Sequence, residues 1–291
     1  MSGPIVVTGA TGNVGRPLVA LLADAGVEVR AVTRNPAGAN RPGGVQVTDS
    51  VRGALRGASA VFLNSRALAA DLEQVITDAR EAGSVTRLVA LSAGNADDDV
   101  ARQPSRFRGD RNKEVEQLAV DSGLAWVIVR PAVFASTSAD MWSAQLRVGD
   151  VVSGPFADAS FAPIVDADIS AVAAQALLGG HLDGRRIPLT GPEAFTVAEQ
   201  VAVIGDVLGR RLRYQQVDPG LVRSRLVASG AAPEFADAYI ALQAAAANQP
   251  AAVVGDVEAI LGRPATPFAH WVDAHRELFS NQPHLNEKDQ P

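Results

Sequence analysis

The chain has 291 residues, 47% hydrophobic and 20% charged, which supports one large folded core with a smaller appended lobe and little disorder outside the tails. Its formal net charge of −6 is relieved by no basic run, which argues against nucleic acid or an anionic membrane as a partner. There is no cysteine, so disulfides, thiolate metal sites and a cysteine nucleophile are excluded.

The first residues, Met1-Ser2-Gly3-Pro4, lack the basic lead and long apolar run of a signal peptide. The apolar stretches at 169–178 and 241–247 are too short to span a bilayer, so a cytoplasmic protein with no membrane contact is expected. From residue 4 to about 135, short β-branched runs alternate with segments of helical period. Strands are expected at 5–7, 27–33, 45–47, 60–63, 87–91 and 125–129, with helices at 13–25, 51–55, 68–82 and 113–122. This alternation predicts a doubly wound parallel α/β sheet whose ligand crevice lies beyond the carboxyl ends of the strands. Beyond residue 135 Gly/Pro punctuation separates helices expected at 169–178, 196–208 and 233–247, and Thr196 with Glu199 forms a capping-box pattern. The expected division is a nucleotide domain at 1–135 with strand returns from 160–192, a smaller, mainly helical lobe at 136–280, and a polar tail at 281–291 that should fray.

The first strand runs straight into Thr8-Gly9-Ala10-Thr11-Gly12-Asn13-Val14-Gly15 and then a helix. Gly9 permits the tight turn, Gly12 lets backbone N–H groups approach a pyrophosphate, and Gly15 allows helix to pack closely on strand. Thr11, Asn13 and Val14 complete a cradle at the helix N-terminus, where unpaired N–H groups and the dipole favour an anion. A glycine-rich turn without a ligand is the bland alternative, and strand, three spaced glycines and helix in succession weigh against it.

This Gly-x-x-Gly-x-x-Gly loop resembles that of extended and atypical short-chain dehydrogenases. Thr33-Arg34-Asn35-Pro36, Leu91-Ser92-Ala93, Val129-Arg130-Pro131, residues 163–169 and residues 256–264 are similar to NmrA-like members of that superfamily. The resemblance implies a Rossmann dinucleotide fold, with Asp49 approaching the adenine and Asn64, Ser65 and Ser92 bordering the cofactor. A carboxylate about twenty residues past the loop would select NAD(H), whereas the second strand here ends in Thr33-Arg34, and Glu28 stands at its wrong end. NADP(H) is therefore favoured over NAD(H).

The family's Tyr-x-x-x-Lys acid/base pair is missing, since the only tyrosines are Tyr214 and Tyr239. Aligned on Glu116 and Arg130-Pro131, Arg108 takes the Tyr position and Asn112 the Lys position. A shift of one puts Gly109 and Lys113 there, which resembles the isoflavone-reductase relatives that keep only a lysine. Ser92 is a candidate for orienting a substrate carbonyl and Arg108 for binding a phosphate or an oxyanion; a strand-end serine and a loop arginine are the bland readings. Phe134, Met141 and Trp142 could line an apolar pocket, core packing being the commoner role, and Arg130 reads as an ion-pair partner. The four histidines lack metal-ligand spacing, and Asp97-Asp98-Asp99 reads as a solvated face. Two functions stay open. One is a reductase of a small, apolar or aromatic carbonyl, quinone or enone, with its proton from Lys113, water or the substrate. The other is a non-catalytic dinucleotide sensor of the NmrA type; either would be a monomer or homodimer.

Overall fold

A computed structural model of the chain describes residues 3–36 and 43–280; the expected tail at 281–291 lies outside the described residues. The strands are β1 (Ile5–Thr8), β2 (Val29–Val32), β3 (Val45–Thr48), β4 (Ala60–Asn64), β5 (Arg87–Leu91), β6 (Ala125–Pro131), β7 (Val151–Gly154), β8 (Ser160–Phe161), β9 (Arg185–Leu189), β10 (Phe195–Thr196) and β11 (Arg213–Gln216). Seven of them form one parallel sheet in the order β3-β2-β1-β4-β5-β6-β9. Six were expected before residue 135; the seventh is a return from the second half of the chain.

The helices are α1 (Gly15–Asp24), α2 (Val51–Leu55), α3 (Ser65–Leu68), α4 (Leu72–Glu81), α5 (Asn112–Asp121), α6 (Ser136–Leu146), α7 (Asp166–Leu178), α8 (Val197–Leu208), α9 (Pro219–Ala228), α10 (Pro233–Ala246), α11 (Asp256–Leu261) and α12 (Phe268–Ala274). Because the sheet is covered on both faces, its strands are apolar in successive residues rather than alternately: Val6 turns to one layer, Val7 and Phe62 to the other. Leu18 and Leu22 of α1, Ile169 and Val172 of α7 and Val257 of α11 fill the first layer. Leu55 of α2, Leu72 and Ile76 of α4 and Val115 of α5 fill the second. Asp168, fully buried on α7, accepts from Arg263 at 2.7 Å and from the Thr266 N–H at 2.6 Å, which satisfies the charge and ties the α11–α12 link to this layer.

The single helix expected at 68–82 is broken. Asn64 caps α3 by accepting from the Ala67 N–H at 3.2 Å, and the chain then turns through Ala69 at φ 48° before α4 begins. The Asn64 cap starts a separate short helix, and α4 follows it at Leu72 with no side-chain cap of its own. The second lobe gathers on Trp142, Leu146, Val201, Ile204, Phe268 and Trp271. It is mainly helical, but β7 pairs with β11 and β8 with β10, which the helical reading of this half omits. The capping box is present: Thr196 accepts from the Glu199 N–H at 3.2 Å and Glu199 accepts from the Thr196 N–H at 2.7 Å. Among the described residues no helix is long and apolar enough to cross a membrane.

Candidate functional site

The carboxyl ends of β1, β2, β4, β5 and β6 meet at one rim of the sheet, and the glycine loop crosses it. Gly9 takes φ 66°, a left-handed conformation that any side chain would strain, and its carbonyl accepts from the Gly12 N–H at 3.0 Å. A Cβ on Gly15 would run into that same carbonyl, so the turn and the helix start share one constraint. No side chain caps α1, whose first turn carries no acidic residue. The Arg16 N–H is taken by the Gly12 carbonyl at 3.0 Å and Pro17 has none, so the N–H groups of Asn13, Val14 and Gly15 are the ones left for a ligand, with Thr11, Gly12 and Asn13 exposed above buried Val14 and Gly15. These features fit a bound pyrophosphate. Thr8 seats the loop by donating to the Phe62 carbonyl and accepting from the Asn64 N–H, both at 2.9 Å.

At the outer end of the loop, the Thr11 and Thr33 hydroxyls lie 3.3 Å apart, and Arg16 donates to the Thr11 carbonyl at 3.1 Å. Arg34 follows Thr33 directly and is exposed, and Asp49 is exposed just past β3. Arg16 is thereby held beside the Thr11–Thr33 contact, and Arg34 is the next residue along the chain from Thr33. Arg16 escapes sequence reading because the signal is only its place one residue past the last glycine. Glu28 lies at the far end of β2, paired with Arg30 at 3.6 Å, as its position in the sequence implies.

Ser92 continues the β5–β6 ladder, its N–H donating to the Val129 carbonyl at 2.9 Å, and its side chain is buried. The hydroxyl does not point at an open site: it donates to Glu116 at 2.5 Å. Glu116, 2% exposed, also accepts from Arg130 at 2.7 and 2.6 Å and from Arg186 at 3.2 Å. Burial by itself would raise the Glu116 pKa, but the hydrogen bonds from Arg130, Ser92 and Arg186 outweigh it and hold the carboxyl below its usual range. Arg130 is the ion-pair partner the sequence suggests, and Glu116 is the buried centre that sequence reading used only as an alignment mark.

Asp97, Asp98 and Asp99 are exposed, as a solvated face requires, and Asp97 is in addition drawn into an ion-pair network. It pairs with Lys113 and with Arg130, the latter at 2.7 Å, and these partners lower its pKa to about 2. Lys113, exposed on the first turn of α5, is thus paired with a carboxylate rather than turned freely toward the rim. Asn112 is buried and donates to Ser105 at 3.3 Å, while Ser65 accepts from the Arg111 N–H at 2.9 Å. The Ser65 bond, together with the Ser92 hydroxyl donating to the Asn112 carbonyl at 3.5 Å, seats the 104–112 segment on the ends of β4 and β5, and the Ser105 bond ties the segment to itself. Arg108 is exposed there, its guanidinium 4.2 Å from the Phe235 ring of α10.

A polar chain runs from the loop into the second lobe: Asn13 donates to the Ser136 hydroxyl at 3.2 Å, which donates to Asp166 at 2.8 Å. Asp166 is buried, its other oxygen has no partner among the described residues, and burial pushes its pKa up against the opposing Ser136 bond. In the sequence Asp166 stands out only as part of the 163–169 stretch that resembles the NmrA-like proteins. Trp142 belongs to the second-lobe core, Met141 bridges that core to a cluster of Val222, Phe235 and Tyr239, and Phe134 packs on the sheet, so packing accounts for all three. Tyr214 packs on the second-lobe core and Tyr239 in the Val222 and Phe235 cluster, and burial there raises the pKa of both, that of Tyr239 to about 12.

A family model described as NAD(P)H-binding matches residues 9–178. The chain is 36% identical over 285 residues to the (4-alkanoyl-5-oxo-2,5-dihydrofuran-3-yl)methyl phosphate reductase of Streptomyces griseus subsp. griseus, over 95% of this chain and 99% of that protein. Its fold is shared with an NADPH-dependent quinone oxidoreductase of Escherichia coli complexed with NADPH, at TM-score 0.75 and 22% identity over 93% of this chain and 99% of that one. It is shared equally with NmrA, a negative transcriptional regulator, in complex with NAD, at TM-score 0.73 and 17% identity over 94% and 96%.

Proposed function

The chain belongs to the NAD(P)H-binding, NmrA-like family of atypical short-chain dehydrogenases/reductases, and on that premise we propose that it reduces a small carbonyl, quinone or enone with NADPH. The observation that carries this reading is the uncapped α1 behind a glycine turn that any Cβ would block, combined with 36% identity to a reductase along nearly the whole chain. When bound, the nicotinamide supplies a hydride to the electrophilic carbon. The residues of the chain then have three tasks. Gly9, Thr11, Gly12, Asn13, Val14 and Gly15 hold the pyrophosphate; Thr33 and Arg34, with Arg16, meet the adenosine ribose and its 2′-phosphate, and Asp49 borders the adenine. Asn64, Ser65 and Ser92 form the rim toward the reacting carbons, with Ser92 and Asn112 fixed by the Glu116 and Ser105 bonds rather than free to donate.

Without a tyrosine acid, the favoured substrates are those whose reduced form is a stabilised anion, as an enone or quinone gives, because water can then supply the proton. A positioned general acid contributes about 10²- to 10⁴-fold. Lys113→Ala is therefore expected to lower kcat by less than about tenfold in steady-state assays at neutral pH; a loss of about 100-fold or more would make Lys113 the proton donor. Arg34→Ala is expected to reduce the preference for NADPH over NADH by about 10- to 100-fold in fluorescence titrations, the loss of charge-assisted bonds to one phosphate. An unchanged preference would move the 2′-phosphate contact to Arg16.

The whole reading is tested by titrating the protein with NADPH and NADH and following loss of reduced-nicotinamide absorbance against quinones, enones and aromatic ketones. Turnover supports the reductase. Tight binding without turnover across the panel favours a sensor, the function of an NmrA-type regulator.

A further inference from the structure

The rim between β5 and α5 is rich in guanidinium groups, and all but one are neutralised. Arg106 pairs with Glu114, Arg111 with Glu73, and Arg66, reaching across from α3, with Asp110. Arg108 forms no ion pair among the described residues. It lies instead over Phe235, an arrangement that fixes the guanidinium plane while leaving its edge N–H groups free to bind. In a chain of net charge −6, whose acids occupy the neighbouring cations, this group is where an arriving anion meets least competition.

The surroundings of Arg108 are apolar. Phe107 and Met141 pack against the Val222, Phe235 and Tyr239 cluster, and Phe235 stacks on Tyr239 with ring centroids 6.4 Å apart. The rim to which Arg108 belongs is the one that carries Ser65 and Ser92, because the Ser65 hydroxyl accepts from the Arg111 N–H at 2.9 Å and the Ser92 hydroxyl donates to the Asn112 carbonyl at 3.5 Å. An occupant that satisfies both surfaces has an apolar body and a terminal dianion. We infer that Arg108, held by Phe235, is an anion clamp that selects substrates bearing a phosphate monoester for this reductase site. The inference rests on the reductase reading, and it makes α10 part of the substrate site rather than only a packing element.

The test compares, with NADPH, a naphthoquinone and the same quinone carrying an alkyl phosphate monoester. Arg108→Gln is expected to raise the ratio of KM for the phosphorylated quinone to KM for the neutral one by about 10- to 100-fold, the cost of losing a bidentate charged contact. Arg108→Lys should recover part of that ratio, since it restores the charge but not the fork. Phe235→Leu, which keeps the cation but frees its plane, should give a smaller rise. A ratio unchanged in Arg108→Gln overturns the clamp and leaves the reductase standing. Calorimetric binding of the phosphorylated quinone to the NADP+-loaded protein reads the clamp without turnover. There, weaker binding by Arg108→Gln supports it and equal binding overturns it, even if no quinone is reduced.

Discussion

Gly15→Ala is expected to weaken NADPH binding by about 100-fold or more, an effect of about 2.7 kcal/mol that fluorescence titration would register directly. The methyl group would enter the space held by the Gly9 carbonyl, which also accepts the Gly12 N–H. Relief requires the turn to open or α1 to back away, and either change misaims the N–H groups that face the pyrophosphate. The same overpacking should lower the melting temperature of the ligand-free protein by a few degrees, since intrusions of this kind cost about 1–3 kcal/mol. The two readouts separate the causes. Affinity lost together with fold would be uninformative, so a circular-dichroism melt accompanies the titration. Affinity within threefold of the parent, in a protein that remains folded, would move the phosphate site away from this loop.

Glu116→Leu is expected to be the most destabilising single change at the rim. It leaves Arg130, whose side chain is 16% exposed, and Arg186 without their shared carboxylate, and removes the acceptor for the Ser92 hydroxyl. Breaking a buried pair by removing one partner costs about 3–5 kcal/mol. In a chain of this size that is roughly a 10 °C loss in the thermal midpoint. Glu116→Gln keeps the shape and two of the acceptor contacts and should lose less. The charge state also carries a pH signature. Because the folded-state pKa of Glu116 is held below the unfolded value, its stabilisation is complete above about pH 4.3 and is lost as pH falls through the lowered folded value. Denaturant melts of parent and Glu116→Gln across the acid range should therefore converge as pH drops. Parallel curves would show that Glu116 contributes no ionised pair.

Most of the sheet could be read from the sequence because its strands are buried on both faces. Runs such as Ile5-Val6-Val7 and Val61-Phe62-Leu63 carry a signal that depends on composition alone, and the glycine loop adds spacing with a mechanism behind it. β9 reads Arg185-Arg186-Ile187-Pro188-Leu189, with both arginines and the proline exposed on an edge, so only Ile187 and Leu189 betray it. The site divided in the same way. Local features survived: the loop, Arg130 as an ion-pair partner, and the Thr196 cap. What depends on distant residues did not, because no period or spacing records that Ser92 spends its hydroxyl on Glu116, that Asp97 is paired from both sides, or that Asn13 reaches Asp166 through Ser136.

The placement of β9 also governs how the chain can be made. β6 ends at Pro131, and its partner in the sheet begins only at Arg185, after α6, β7, β8 and α7 have been produced. α7, which covers one face of the sheet, comes equally late. A nascent chain emerging from the ribosome thus carries the first six strands for some fifty residues of synthesis with an open β6 edge and one apolar face covered only by α1, conditions that favour intermolecular pairing. Stop codons placed before residue 166 should yield aggregating fragments rather than a free-standing nucleotide module. Ones placed after the sheet and α7 are complete should give a soluble product, so the yield of soluble truncations is expected to step rather than climb.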